Sequence, residues 1–127
     1  MKTLICYASV HHGNTKKIAK AMAEAIGAEL VTPNDAKTKN IEEYDLIGFG
    51  SGIYSAQHHK SILAAVDALR NVSRKKAFVF STAGFPAGKF MFHRVLKKRL
   101  AKKGLVIAGE FSCKGFDTTR SSERSAA

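Results

Sequence analysis

Residues 2–8 (KTLICYA) form a short apolar run without helical period, the pattern of a strand covered on both faces. Residues 9–13 interrupt it. From 14 to 26 the apolar positions Ile18, Met22, Ala25 and Ile26 recur at the helical period opposite Lys16, Lys17, Lys20 and Glu24. That spacing predicts an amphipathic helix, capped by Asn14 or Thr15 and stopped by Gly27. Residues 28–32 (AELVT) predict a shorter strand ended by Pro33, and 34–40 lack an apolar stripe, so a loop or a single helical turn follows. Residues 44–50 (YDLIGFG) predict a third strand, after which Ser51, Gly52 and Ser55 break the pattern. Helical spacing returns over 59–71 through Ile62, Leu63, Val66 and Leu69. Residues 77–82 (AFVFST) predict a fourth strand and 83–88 a loop. Residues 89–103 predict a helix that turns Phe92, Val95, Leu96 and Leu100 inward and a basic face outward. Gly104 ends it, and 105–113 predict a fifth strand.

Strands that are near-continuous apolar runs, alternating with helices, specify an α/β fold: a doubly wound parallel sheet with helices on both faces and right-handed crossovers. With 127 residues and neither internal repeat nor linker, one domain is expected. Ligands of such open sheets bind beyond the carboxyl ends of the strands, which points to residues 9–14, 51–57, 83–88 and the stretch after 113.

Charge narrows the choice of ligand. Lys plus Arg number 21 against 10 Asp plus Glu, a net charge of +11, and every charged residue from Arg70 to Lys103 is basic. Lys97, Lys98, Arg99 and Lys102 are expected on the exposed face of their helix. Such a field attracts an acidic protein, a phosphorylated cofactor or nucleic acid. The apolar runs fall well short of the ~20 residues of a membrane-spanning helix, and no cleavable leader is expected at the start of the chain. Cys6 and Cys113 are expected as buried free thiols of a reducing, cytoplasmic setting rather than a secreted disulfide framework. The adjacent pairs His11–His12 and His58–His59 lack metal-ligand spacing, His93 beside Arg94 is expected at the surface, and no Ser/His/Asp set assembles. No catalytic or metal-ligating residue is therefore assigned.

The first loop runs Ser9-Val10-His11-His12-Gly13-Asn14-Thr15 from a strand into a helix. Free N–H groups and partial positive charge at a helix N-terminus suit a phosphate, and Ser9, Asn14 and Thr15 add side-chain donors. A plain helix cap accounts equally well for the same spacing. The later loops place Tyr54 after Gly52 and Phe85 after Gly84, which would let two aromatics grip a flat ring; the alternative is that one or both roof the core.

Taken in order, YASVHHGNTKKIA, DLIGFGSGIY and FVFSTAGFP resemble the flavodoxin family over about residues 1–117. The resemblance implies a five-stranded sheet of order 2-1-3-4-5 and one flavin mononucleotide (FMN). It implies that Ser9, Gly13, Asn14 and Thr15 hold the phosphate, with His11 and His12 available as further donors in a loop one residue longer than the usual pattern. Ser51, Gly52, Ile53 and Tyr54 would flank one face of the flavin ring and Thr82, Ala83, Gly84 and Phe85 the other. Ser55-Ala56 stand where the family often has glycine, so a backbone turn toward the ring costs more here. The family's final amphipathic helix has no counterpart in 118–127 (TTRSSERSAA), which reads as a polar, disordered tail. Strand side chains such as Leu4, Cys6, Ile47 and Ile107 are then expected to lack cover, and the chain to be either a homo-oligomer through that face or markedly less stable than one extended by an amphipathic helix.

The function implied is an FMN-dependent redox protein acting in electron transfer, with an acidic redox protein or NAD(P)H as partner. An electron carrier is preferred to an NAD(P)H-linked reductase. The competing reading is a basic, non-redox binding module on the same fold, without flavin, for RNA or an acidic protein. Nucleic acid is not the expected partner, because aromatics interleave poorly with the basic run.

Overall fold

The computed structural model describes residues 2–9, 14–54, 57–70, 72–83 and 93–114. Within these, β1 (Thr3–Ala8), α1 (Asn14–Ile26), β2 (Glu29–Val31), the single turn α2 (Pro33–Ala36), β3 (Leu46–Tyr54), β4 (Gln57–His58), α3 (Lys60–Asp67), β5 (Lys76–Ala83), α4 (Arg94–Lys102) and β6 (Val106–Lys114) follow one another. The five parallel strands lie in the order β2-β1-β3-β5-β6, which, numbered along the chain without β4, is the expected 2-1-3-4-5. The two-residue β4 turns back antiparallel on the end of β3, pairing Ile53 with His58. The sequence pattern did not predict it. β3 also runs on to Tyr54 through the stretch expected to be broken. Ser51 and Gly52 stay in the ladder because β1 and β5 both pair with that end of β3, Ala8 with Ser51 and Gly52 with Thr82.

Period-two alternation divides the core. Leu4, Cys6, Ile47, Phe49, Ala77 and Val79 face Ile62, Leu63 and Val66 of α3 and Leu96 and Leu100 of α4. Leu4, Cys6 and Ile47 are buried and Ile107 packs half-buried against the same cluster, so the cover expected to be missing over these four is supplied by α3 and α4. The opposite face is built from Ile5, Phe78 and Phe80 against Ala19 and Ala23 of α1. There β3 presents Gly48 and Gly50. A Cβ at either position would lie 2.1 or 2.2 Å from the Cζ of Phe78 or Phe80, so the two rings occupy the space that β3 leaves bare. Their centroids are 6.3 Å apart in a stacked arrangement.

This close packing corrects the expected face of α1. The buried stripe runs through Ile18, Ala19 and Ala23, with Met22 half-buried, whereas Ala25 and Ile26 are exposed. Small alanines meet the phenyl rings, and that rotates the helix by about one position from the stripe of large residues. α3 and α4 are shorter than expected; Phe92 and the tail 118–127 lie outside the described residues. His93 is fully buried, not at the surface. Lys98 and Lys102 are exposed, but Lys97 and Arg99 are only partly so, because Lys97 pairs with Glu110 at 2.7 Å and Arg99 pairs with Asp67. Pairing between β5 and β6 slips by one residue: Ala77 opposes Ile107 and Phe78 opposes Gly109, leaving Ala108 as a bulge.

Overpacking at the glycine positions is the sensitive point. Gly50→Ala is expected to lower stability by about 1–3 kcal/mol in urea unfolding, as overpacked cores do. Combined with Phe80→Ala, which removes the clashing ring, its cost is expected to be far below the sum of the two single substitutions. A strictly additive pair would show that the ring does not occupy the space above Gly50.

Candidate functional site

The carboxyl ends of β1, β3 and β5 meet at one edge of the sheet. Ser9, just past β1, accepts the backbone N–H of Lys16 on its Oγ at 3.3 Å, so Ser9 rather than Thr15 caps α1 and keeps its own proton to donate. The buried Thr15 hydroxyl instead meets that of Thr82 at 2.7 Å, joining the head of α1 to the end of β5. Thr82 can reach it because, with Phe78 and Phe80, it lies on the α1 face of β5. On β3, the Ser51 hydroxyl donates to the Gly52 carbonyl at 2.6 Å and accepts the His59 N–H at 2.9 Å, tying the end of β3 to the head of α3. His59 Nδ1 accepts the N–H of Ser61 at 3.1 Å and caps that helix.

Beside these groups lies a cleft of about 420 Å³, into which Ser9, Lys16, Thr32, His59 and Ser61 project among others. Its donor set of hydroxyls, an imidazole and one ammonium suits an oxyanion, and no described lining residue is acidic. Lys16, Thr32, His59 and Ser61 were not picked out from the sequence. Lys16 follows the phosphate-loop motif directly. His59 and Ser61 open the helix after β3, where the carboxyl-end rule already pointed.

The structure thus brings Ser9, Thr15 and Thr82 together, with Gly52 paired to Thr82 on the neighbouring strand. Ser51 faces away from α1 and acts on the backbone of its own segment. Asn14 opens α1, Ile53 and Tyr54 close β3 and Ala83 closes β5, but the side chains of these four, and that of Cys113, lie outside the described part. His11, His12, Gly13, Gly84 and Phe85 lie outside the described residues altogether.

Beneath this edge, on the α4 side, is a buried polar cluster. His58 Nε2 donates to the Phe80 carbonyl at 2.8 Å, which places the ring proton on that nitrogen. His93 Nε2 lies 2.7 Å from Ser81 Oγ, and Ser81 donates on to Ser112 at 3.0 Å. The two rings face each other with centroids 5.2 Å apart. Glu110 approaches His93 Nδ1 to 3.9 Å while held by Lys97. Burial pushes the His58 pKa down to about 4. Burial, helped by His58 and Lys97, pushes that of His93 to about 3, so both rings are neutral at neutral pH. Burial also raises the Cys6 thiol to about 12, which leaves it inert as a nucleophile. No three metal-ligating side chains converge among the described residues.

Residues 4–116 match the family model described as Flavodoxin domain. The chain belongs to the flavodoxin family. This flavodoxin-family chain is 52% identical over 118 residues to protein MJ0298 of Methanocaldococcus jannaschii, itself described as uncharacterized, covering 93% of this chain and 78% of that one. In fold it is similar to the Trp repressor binding protein of Bacillus subtilis, with a TM-score of 0.79 at 18% identity over 99% of this chain and 94% of that one. It is likewise similar to oxidised flavodoxin 2 of Bacillus cereus, with a TM-score of 0.68 at 26% identity, over 99% and 93% of the two chains. Family membership implies a flavin site, and the hydroxyl-rich head of α1 fits the phosphate of a flavin nucleotide.

Because both buried imidazoles have pKa values below the ordinary 6.5, the unfolded chain takes up protons that the native chain refuses. Their contribution to stability is complete above pH 6.5 and is lost as pH falls toward 4 and then 3. Urea unfolding between pH 6 and 4.5 is expected to show stability falling with a slope approaching about 2.7 kcal/mol per pH unit, the value for two protons. A pH-independent midpoint over that window would mean that the rings are hydrated.

Proposed function

We propose that this flavodoxin-family protein binds FMN at the carboxyl edge of the sheet and works as an electron carrier. The observation that supports this most is the hydrogen bond between Thr15 and Thr82, which joins two separate segments that each resemble a flavin-binding motif, with Ser9 bonded to Lys16 at the same helix head. Ser9, Asn14, Thr15 and the first amides of α1 would hold the phosphate, and the Thr15–Thr82 bond would keep that helix end fixed against β5. Gly52, Ile53 and Tyr54 on one side and Thr82 to Phe85 on the other would flank the ring and exclude water from it. The flavin, when bound, supplies one- and two-electron chemistry that no side chain here can provide. A reducing cytoplasmic setting agrees with the buried thiol of Cys6.

The purified protein is expected to be yellow, with the absorbance bands of oxidised flavin, or to become so when mixed with FMN. A protein that stays colourless with FMN and binds RNA would replace this reading with that of a basic binding module. Asn14→Ala together with Thr15→Ala is expected to weaken FMN by about tenfold or more, as the loss of charge-assisted hydrogen bonds to phosphate would, and to leave riboflavin nearly unchanged. Thr82→Val serves as the control that breaks the threonine pair without removing a phosphate donor. Equal loss for both flavins would remove the phosphate from this loop.

An acidic redox protein is the partner we propose for the basic helix α4. With Lys97 and Arg99 engaged by Glu110 and Asp67, the exposed cations of α4 include Lys98 and Lys102. Charge reversal at these two is expected to slow association with an acidic partner and flatten its salt dependence, with FMN affinity unchanged. An association rate indifferent to both would shift the partner to NAD(P)H.

A further inference from the structure

A groove of about 250 Å³ opens between the segment that follows β2 and the end of α3. The sequence of the first wall creates it. Residues 34–40 lack an apolar stripe, and the helix begun at Pro33 ends after one turn. Thr32 Oγ1 accepts the Asp35 N–H at 3.4 Å at its start, and the Thr38 hydroxyl donates to the Asp35 carbonyl at 2.7 Å at its end. From this segment Ala36 and Ile41 pack half-buried on the core, as does Ala65 of α3, with Leu69 buried just past that helix. Alanine on both walls keeps the side chains short, so the groove stays open above an apolar floor.

Its rim is cationic. Lys37 on one wall and Arg70 on the other are exposed, and neither pairs with a carboxylate among the described residues. Lys39 is held by Glu29, and Glu42 is the one acidic side chain among the described lining residues. Two unpaired cations therefore face one carboxylate across an apolar floor.

We propose that this groove is a docking site for an acidic segment of a partner protein, which seats one apolar side chain between Ala36, Ile41, Ala65 and Leu69 and sets its carboxylates against Lys37 and Arg70. Size selects the kind of occupant. Pockets that engulf a drug-sized ligand or cofactor hold about 300–1,000 Å³, so this one suits an anchoring side chain better than a nucleotide. The anchor supplies most of the affinity, because exposed ion pairs contribute little, while the cations speed encounter and fix orientation. The groove lies by the last turn of α3, at the other end of that helix from His59 and the crevice edge, so a segment bound there leaves the edge open. The inference does not rest on the flavin reading and adds a surface separate from the outer face of α4.

The test follows backbone amide shifts of the full flavin-free chain at physiological salt as short peptides are added. Each peptide has acidic residues flanking one central leucine, phenylalanine or serine. The leucine and phenylalanine peptides are expected to shift the amides of Ala36, Ile41, Ala65 and Ala68 and to bind about tenfold more tightly than the serine peptide. Lys37→Gln and Arg70→Gln are each expected to weaken the leucine peptide about two- to fivefold. Ala68→Phe, whose ring would fill the groove, is expected to weaken it by about tenfold or more. Charge reversal at Lys98 and Lys102 is expected to leave these shifts in place. A serine peptide that binds as well as the leucine peptide, or no shift at the floor, would overturn the site. So would oligouridylate that shifts the floor amides as strongly, or octanoate that does so where the peptides do not. Floor shifts that grow with protein concentration alone would give the groove to a second copy and likewise overturn the proposal. If Ala68→Phe does not fold, the variants of the exposed Lys37 and Arg70 carry the test, and full peptide affinity in their double variant overturns it.

Discussion

Gly48 and Gly50 leave the middle of one face of β3 without side chains, and Phe78 and Phe80 lie across the gap from the neighbouring strand. The position of α1 follows from this. Rings laid across a bare strand present a low surface, against which Ala19 and Ala23 seat the helix closely. That seating brings Thr15, at the head of α1, within hydrogen-bond reach of Thr82. The crevice edge therefore depends on packing a full turn or more below it, and the absence of a Cβ at two places in β3 is as much a part of the site as the hydroxyls.

Successive residues of β5 serve different layers. Phe80 and Thr82 point toward α1, while Ser81 between them points toward His93 and Ser112. The period of two lets one strand carry the Thr82 hydroxyl at the head of α1 and the polar cluster on the α4 face with no residue between them.

The order of the parallel strands was legible because each is buried on both faces and reads as a continuous apolar run, and Gly27 and Gly104, both at positive φ, ended their helices as expected. The meeting of Ser9 and Thr15 with the head of α1 was legible from a local motif. What escaped was non-local. A two-residue strand such as β4 has no period to detect. Ser51 and Gly52 look like breakers until two flanking strands pair with them. His93 sits among lysines and arginines in the sequence, and only the arrival of Ser81 from a distant strand accounts for its burial. The α1 stripe was misassigned because large residues were weighted over alanines, although the partners were large rings.

The bulge at Ala108 acts as a phase change in β6. Before it, Ile107 shares the face of Ala77; after it, Glu110 and Ser112 share the face of Val79 and Ser81. The bulge thus absorbs one extra residue and keeps Ile107, Glu110 and Ser112 on one face, which strict alternation over the same stretch would not. A strand of the same length paired without the bulge would turn Glu110 and Ser112 away from α4, leaving Lys97 without its carboxylate and Ser81 without its acceptor.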